Sequence, residues 1–271
     1  MFNSKVFVAE FIGTFALVFV GSAAGIYGQS IGLLGIAFAH GLTLAAFVYV
    51  YGHISGTHVN PAVTLGLALN GTVKWMEALV YWVAQFAGAV FAAFLLRTFV
   101  TILSADAFAG AATSGLLTDV TKYPFYYAMG LEALLTFFLV NSVLHTTVDG
   151  KAGSFAGWAI GITLTIVILA GGPLTGASVN PARSFGPAVF TSALDASKPD
   201  IQNPMLYLIY FVGPFVGSIV AVLLYKFFKL EPAIREEIED VEVVEFVEEV
   251  VIEKPVKKPA RKPAARKTTK K

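Results

Sequence analysis

The sequence contains no cysteine among its 271 residues, and charged side chains are scarce. Without cysteine the chain has no disulfide bond, no thiolate metal site and no thiol nucleophile. Charged residues account for 14% of the chain and hydrophobic residues for 56%. Because an ordinary soluble domain carries about 25% charged residues, this composition argues against a soluble globular enzyme.

The few charges are concentrated at the C-terminal end. Residues 231–271 hold 10 of the 18 acidic and 10 of the 19 basic residues, which leaves 8 acids and 9 bases in the first 230. The sequence therefore predicts a membrane domain over residues 1–230 and a charged cytoplasmic tail over residues 231–271, disordered or partly helical. The basic end of this tail suits contact with anionic lipid, and nucleic acid is not an expected partner.

Six apolar stretches lie in the first 230 residues. Each has the length of roughly 20 residues that a helix needs to cross a hydrocarbon core of about 30 Å. Their many Gly and Ala residues allow neighbouring helices to approach closely. These stretches predict an all-α membrane protein with six transmembrane helices, at about 6–27, 32–51, 76–99, 125–147, 155–172 and 204–228.

Two further segments, near 60–69 and 180–190, are apolar but too short to span. They begin with the same tripeptide, Asn60-Pro61-Ala62 in one and Asn180-Pro181-Ala182 in the other. Proline suits a first helical turn because no N–H donor is needed there, so each segment predicts a half-helix. Taken singly, each asparagine is equally explained as a plain N-cap. Short segments at matching positions in two halves of a membrane protein favour a site made from broken helices.

The two halves of the sequence resemble each other. A shift of 120 residues aligns segment 55–62 with 175–182, and a shift of 122 aligns Glu10 with Glu132. Each repeat holds three spans, an odd number, so the second copy enters the membrane from the opposite side. The sequence thus predicts an inverted repeat in which two re-entrant half-helices meet at mid-membrane.

The strips before the half-helices, 52–59 and 173–179, are expected to be irregular and to line a cavity. Non-helical backbone at membrane depth is tolerated only where protein or a water-filled space covers it, and a pore is the simplest such space. The N-termini of the half-helices, on the order of +0.5 charge each, disfavour cations there. The amides of Asn60 and Asn180 can donate hydrogen bonds to a passing neutral molecule.

Basic residues in the short flanks of the spans indicate the orientation. Three lie on the far side and five on the side of the chain termini, which predicts cytoplasmic termini. The five are Lys5, Lys74, Lys151, Lys226 and Lys229, and the three are Arg97, Lys122 and Lys198.

The longer motifs around the half-helices resemble those of a known family. GHISGTHVNPAVT at 52–64 and GASVNPARSFGPA at 176–188 are similar to the two loops of the major intrinsic protein family, the aquaporins and glycerol channels. With the six spans, the resemblance extends over residues 5–228. It implies an aquaporin-like channel domain that passes water and small neutral solutes, surrounded by lipid and assembled as a homotetramer with one pore per subunit.

Members of this family have a second constriction, formed by four side chains at fixed offsets from the two asparagines. The resemblance assigns it here to His40, Ile168, Ala177 and Arg183. This set resembles the filter of some tonoplast-type plant aquaporins and lacks the histidine that strict water channels carry where Ile168 stands. A wider filter is implied, which extends the expected solutes to ammonia and hydrogen peroxide, with glycerol or urea beyond them.

Two carboxylates, Glu10 and Glu132, lie within the first span of each repeat. An intramembrane carboxylate can relay protons or can accept hydrogen bonds from neighbouring backbone. We favour acceptors that support the irregular strips, because a pore that blocks protons has no use for a relay. His53 and His58 can likewise gate the pore mouth, but support of the loop is the preferred interpretation.

We therefore predict a passive channel with no catalytic residues, no cofactor and no metal site. The alternative is a coupled secondary transporter of a small solute, which shares inverted repeats and broken helices but should carry titratable coupling residues at mid-membrane. Only asparagines are expected there. An intramembrane enzyme would need a nucleophile and a base in one layer, and the sequence offers no such pair.

Overall fold

The computed structural model describes residues 3–103, 124–191 and 204–229. The predicted tail lies outside these ranges, and so do Lys122 and Lys198 of the orientation count. Residues Met1–Lys226 form one compact unit, and a second unit, Phe227–Lys271, contributes only residues 227–229 to the described part. The helical bundle lies in the first unit.

Within the described ranges, six helices are long and apolar enough to cross a membrane. Two more helices, α3 and α7, are about half that length. α5 continues in the π-helical turn Leu144–Val148, and α8 begins with the π-helical turn Leu208–Val212. The all-α fold with six spans and two short helices is confirmed. In chain order the helices are α1 (Ser4–Ile26), α2 (Gly28–Ser55), α3 (Pro61–Asn70), α4 (Trp75–Leu103), α5 (Phe125–Val143), α6 (Ala156–Thr175), α7 (Pro181–Thr191) and α8 (Leu208–Lys229).

Polarity in this bundle is distributed as a lipid environment requires. Large apolar side chains cover the outside, among them Val83 at 62% and Ile166 at 57% exposure. Polar side chains such as Glu10, Gln85 and Glu132 are fully buried. A soluble fold places the two classes the other way round, so the distribution supports the membrane assignment independently of helix length.

Glycines allow the close helix contacts on which the repeat is built. Gly41 on α2 and Gly161 on α6 face each other, and a Cβ on either would overlap the backbone oxygen of the other. Gly88 on α4 lies in the same way against the backbone of α1, and Gly217 on α8 against that of α5. The sequence shifts of 120 and 129 residues relate these glycines in pairs, so both halves use the same packing.

The irregular strips are shorter than the sequence predicts. α2 continues through Gly52, and α6 continues through Pro173. Both helices end at a glycine with left-handed backbone, Gly56 at φ 81° and Gly176 at φ 84°. The prediction of irregular backbone from 52 and from 173 is therefore wrong, because membrane helices tolerate internal Gly and Pro and the left-handed glycine sets the end.

Candidate functional site

The two short helices begin inside the bundle, each capped by its own asparagine. Asn60 Oδ1 accepts from the backbone N–H of Ala62 at 2.9 Å, and Asn180 Oδ1 accepts from that of Ala182 at 3.0 Å. Pro61 and Pro181 occupy the first helical position, where a missing N–H costs nothing. The plain N-cap explanation of both asparagines thus describes their side-chain oxygens.

The side-chain nitrogens of the same asparagines join the two repeats. Asn60 Nδ2 donates to the carbonyl of Val179 at 2.7 Å, and Asn180 Nδ2 donates to the carbonyl of Val59 at 2.9 Å. An amide NH₂ has two hydrogens, so one on each asparagine is left after this bond. Both asparagines line a central cavity. Capping and a pore-facing donor are therefore compatible in one side chain.

The strips that lead into the short helices have an unusual backbone. Four non-glycine residues have positive φ, namely Thr57 at 50°, Val59 at 45°, Ala177 at 43° and Val179 at 48°. This region costs of order 1–3 kcal/mol per residue, and most for β-branched side chains. Such strips persist only where surrounding contacts hold them in place.

Glu10 provides these contacts in the first repeat. Its Oε1 accepts from Ser55 Oγ at 2.7 Å and from the N–H of His58 at 2.9 Å. Its Oε2 accepts from the N–H of Val59 at 2.7 Å and from Gln85 Nε2 at 2.8 Å. Four donors fill the acceptor sites of the carboxylate and leave no place for a carboxyl proton.

Glu132 has the same arrangement in the second repeat. Its Oε1 accepts from Thr175 Oγ1 at 2.7 Å and from the N–H of Ser178 at 2.9 Å. Its Oε2 accepts from the N–H of Val179 at 2.7 Å. Here no glutamine contributes a further donor among the described residues. Each carboxylate thus lies against the strip of its own repeat.

These bonds also orient the carbonyls of the strips. In a planar trans peptide the C=O points opposite to the N–H. Because the N–H groups of His58 and Val59 point to Glu10, the carbonyls of Thr57 and His58 point away from it. Thr57, His58 and Val59 line the cavity, so these carbonyls present acceptors to whatever occupies it.

The cavity has a volume of about 320 Å³ and runs past the N-termini of both short helices. Aliphatic side chains of α2, α5 and α6 form much of its wall, and the two strips form the polar part. Among its described lining residues, Arg183 carries the permanent charge. The aliphatic members are Leu17, Leu44, Val48, Val63, Leu67, Leu139, Val143, Val148, Ile160, Leu164 and Ile168.

The structure brings three of the four expected filter residues to this cavity. His40, Ile168 and Arg183 line it, and all three are buried or nearly so. Ala177 is fully buried and does not belong to the described lining. Its role in the filter therefore rests on the resemblance alone.

His40 lies beside Arg183, and the geometry defines its tautomer. His40 Nδ1 is 2.9 Å from the carbonyl of Ile36, which can only accept, so Nδ1 carries the proton. Arg183 Nε donates to His40 Nε2 at 3.4 Å. The ring lies against Gly21 of α1, where any Cβ would overlap it. Both ring nitrogens are thus engaged by protein, and His40 holds the guanidinium in place.

Several residues of this site were not predicted. Tyr81 and Tyr210 donate to the carbonyls of Ser55 and Thr175, at 2.7 and 2.8 Å, where α2 and α6 end. The shift of 129 residues pairs these tyrosines, so the repeat contained the signal. Ser218 Oγ donates to the carbonyl of Ala62 at 2.7 Å, and it has no comparable sequence signal.

Comparison with known proteins gives a consistent result. A family model described as major intrinsic protein matches residues 1–225. Aquaporin TIP1-2 of Zea mays is 39% identical over 235 residues, which cover 82% of this chain and 85% of that protein. The probable aquaporin TIP2-1 of Oryza sativa subsp. japonica is 41% identical over 233 residues, covering 82% and 86%.

A solved structure shares the fold. The X-ray structure of the aquaglyceroporin from Plasmodium falciparum matches with a TM-score of 0.70 at 23% identity, covering 82% of this chain and 95% of that one. At this identity the likeness concerns the arrangement of helices and not the solute.

Proposed function

The chain belongs to the major intrinsic protein family, whose members are channels and not enzymes, and from this we propose that it passes ammonia and hydrogen peroxide besides water. The observation that carries the proposal is the cavity wall opposite Arg183, where the aliphatic Ile168 stands and the imidazole of His40 is held aside. A filter with one apolar side and few polar groups admits small neutral solutes. Glycerol and urea are the larger members of the same class.

Ions and protons are excluded by fixed positive charge. The N-termini of α3 and α7 both face the cavity, each with on the order of +0.5 charge. Arg183 adds a full charge in the second repeat, where Asn180 Oδ1 also accepts from its backbone N–H at 3.2 Å. A cation or a hydronium ion meets this field in a wall that offers it no carboxylate, since Glu10 and Glu132 are occupied by the strips.

Flux measurements on proteoliposomes test the solute range. Shrinkage after osmotic shock reports water, and internal pH and peroxide indicators report the two solutes. We expect each flux to exceed that of empty vesicles and to be independent of imposed ion gradients. Water flux without either solute would contradict the proposed range, and flux that follows a proton or sodium gradient would favour the coupled transporter.

Replacement of the filter arginine tests ion exclusion. Arg183→Val removes the charge next to the α7 N-terminus, and we expect it to raise the cation leak of reconstituted vesicles. Arg97→Gln removes a positive charge that lies over the Phe190 ring instead, 5.8 Å from its centroid, and is the matched control. Equal leak in both variants would contradict the role of Arg183.

Assembly and orientation complete the proposal. By resemblance the channel is a homotetramer, and mass measurement of detergent-solubilised protein tests this. Cytoplasmic termini follow from Lys5, Lys74, Lys151 and Lys226, which are all exposed on the side of the termini. Protease protection of terminal tags in sealed vesicles tests the orientation. Binding of the full chain to vesicles with anionic lipid, compared with a chain ending at residue 230, tests the role of the tail.

A further inference from the structure

The two strips differ in one chemical respect. His58 of the first repeat corresponds to Ser178 of the second, so an imidazole lines the cavity only on the side of the chain termini. Ser178 turns its hydroxyl to its own helix, 3.0 Å from the carbonyl of Asn180. The imidazole of His58 has no such local partner. Its protonation therefore depends on what surrounds Nδ1 and Nε2.

The neighbours of Nδ1 can be accounted for hydrogen by hydrogen. His58 Nδ1 is 3.1 Å from Thr64 Oγ1. The hydroxyl hydrogen of Thr64 is used by the carbonyl of Asn60 at 3.1 Å. Gln85 Nε2 donates one hydrogen to Glu10 Oε2 and the other to Thr64 Oγ1, at 2.8 and 2.9 Å. Thr64 Oγ1 can then only accept from His58, so Nδ1 carries the proton.

The other ring nitrogen faces the cavity. The structure gives His58 Nε2 no hydrogen-bond partner among the described residues. Gly56, which also lines the cavity, leaves the space beside it open, since a Cβ there would stand 3.2 Å from Nε2. Tyr81 stacks on the ring with centroids 4.3 Å apart, and its hydroxyl is bonded to Ser55. The ring is thus fixed with its lone pair toward the lumen.

We propose that Thr64 and Gln85 fix His58 in the Nδ1–H form, so that Nε2 is a hydrogen-bond acceptor for neutral solutes that carry an N–H or O–H donor. With the carbonyls of Thr57 and His58 it forms an acceptor surface on the terminal side of the pore. Donors from Asn60, Asn180 and Arg183 lie further along the cavity. The assignment rests on the proposed function, because ammonia, water and peroxide supply the donor. His58 binds solute, and Thr64 and Gln85 are positioning residues.

The tautomer can be measured directly. Full-length protein labelled with ¹⁵N at its four histidines is reconstituted in lipid, and its ring nitrogens are observed by solid-state NMR. The His58→Phe spectrum identifies the His58 signals by difference. We expect a protonated Nδ1 and an unprotonated Nε2. A protonated Nε2 on His58 would overturn the proposal, whether or not the vesicles conduct water.

Variants of the positioning residue link the tautomer to flux. Thr64→Val removes the acceptor of Nδ1–H, so a form protonated at Nε2 becomes populated. Loss of one acceptor in the lumen is expected to lower ammonia and water flux roughly fivefold, the equivalent of one hydrogen bond. Thr64→Ser keeps the hydroxyl and is expected to restore both the NMR signals and the flux.

Thr14→Val is the matched control for removal of a buried threonine hydroxyl. The Thr14 hydroxyl is fully buried without a partner, and the residue lies outside the cavity lining. We expect wild-type flux and an unchanged His58 spectrum in this variant. Wild-type flux in both Thr64→Val and His58→Phe would overturn the proposal. If wild-type vesicles conduct nothing, the proposed function fails, while the NMR result still decides the tautomer.

Discussion

Arg183 and His40 form one unit at the filter. The Nε of Arg183 is bound to the imidazole, and the remaining N–H donors of the guanidinium are on its terminal nitrogens. The notch at Gly21 is what allows this pairing, since the His40 ring fills the space that a side chain at 21 would need. A residue of α1 that never contacts solute therefore helps to set the width of the filter.

Gly21→Ala is predicted to lower flux through this unit. The added methyl overlaps the His40 ring, which must move away from α1 and toward the cavity or lose its bond to Arg183. Overpacking of this kind costs about 1–3 kcal/mol, so thermal unfolding should also begin at lower temperature. Stopped-flow water and ammonia measurements on equal amounts of reconstituted protein check the effect.

Gly130→Ala is the control for Gly21→Ala. Gly130 lies in α5, and a Cβ there would meet no atom within 4 Å. This variant should keep wild-type flux and stability. Wild-type flux in Gly21→Ala would mean that the notch does not position His40.

Ile168→His is predicted to narrow the solute range. Ile168 lines the cavity as part of its aliphatic wall, and an imidazole there adds a polar group opposite Arg183. We expect ammonia and peroxide flux to fall while water flux is largely kept. Ile168→Leu, which keeps an aliphatic wall, should leave the solute-to-water ratio near that of the wild type. An unchanged ratio in Ile168→His would contradict the filter assignment.

At the scale of elements, the strips before α3 and α7 depend on α1 and α5. The strained φ values of Thr57 and Val59 are held because Glu10 collects the N–H groups of His58 and Val59. Glu132 does the same for the second strip. The pore lining is therefore a property of pairs of elements and not of the loops alone.

Glu10→Gln is predicted to destabilise the first strip. The amide replaces one acceptor oxygen by an NH₂ group, which then faces the donors Val59 N–H and Gln85 Nε2 or their counterparts. Leaving buried donors without acceptors costs about 1–3 kcal/mol each. A lower unfolding temperature in detergent and a lower water flux are expected. An unfolding temperature equal to that of the wild type would show that the carboxylate does not hold the strip.

The sequence predicted these elements well but predicted their contacts unevenly. Apolar length determined the six spans, and the duplicated tripeptide located the two short helices. Contacts that follow the repeat, such as those of Tyr81 and Tyr210, were accessible from the internal shift. Gln85 and Ser218 were not, because a single polar residue in an apolar helix does not indicate which neighbouring strip it will contact.

At the scale of the molecule, the repeat duplicates the architecture but not the chemistry. Gly41 and Gly161 cross at the centre, and Asn60 and Asn180 exchange hydrogen bonds with each other's strips. The lining of the two halves nevertheless differs. Arg183 gives one half a positive charge, and His58 gives the other an imidazole. Two similar halves thus produce a pore that solutes meet differently from its two ends.

The absence of cysteine from the whole chain provides a test of the pore's location. Mercury ions bind thiolates, so water flux through the wild-type channel is predicted to be insensitive to mercuric chloride. Ile168→Cys places a thiol on the cavity wall and should make the flux sensitive, with recovery after addition of a thiol reductant. Ile166→Cys, two residues away, places it on the outer face of α6, where Ile166 is 57% exposed, and should not. Inhibition of the wild type, or equal inhibition of the two variants, would contradict a conduction path through this cavity, because only one of the two thiols faces it.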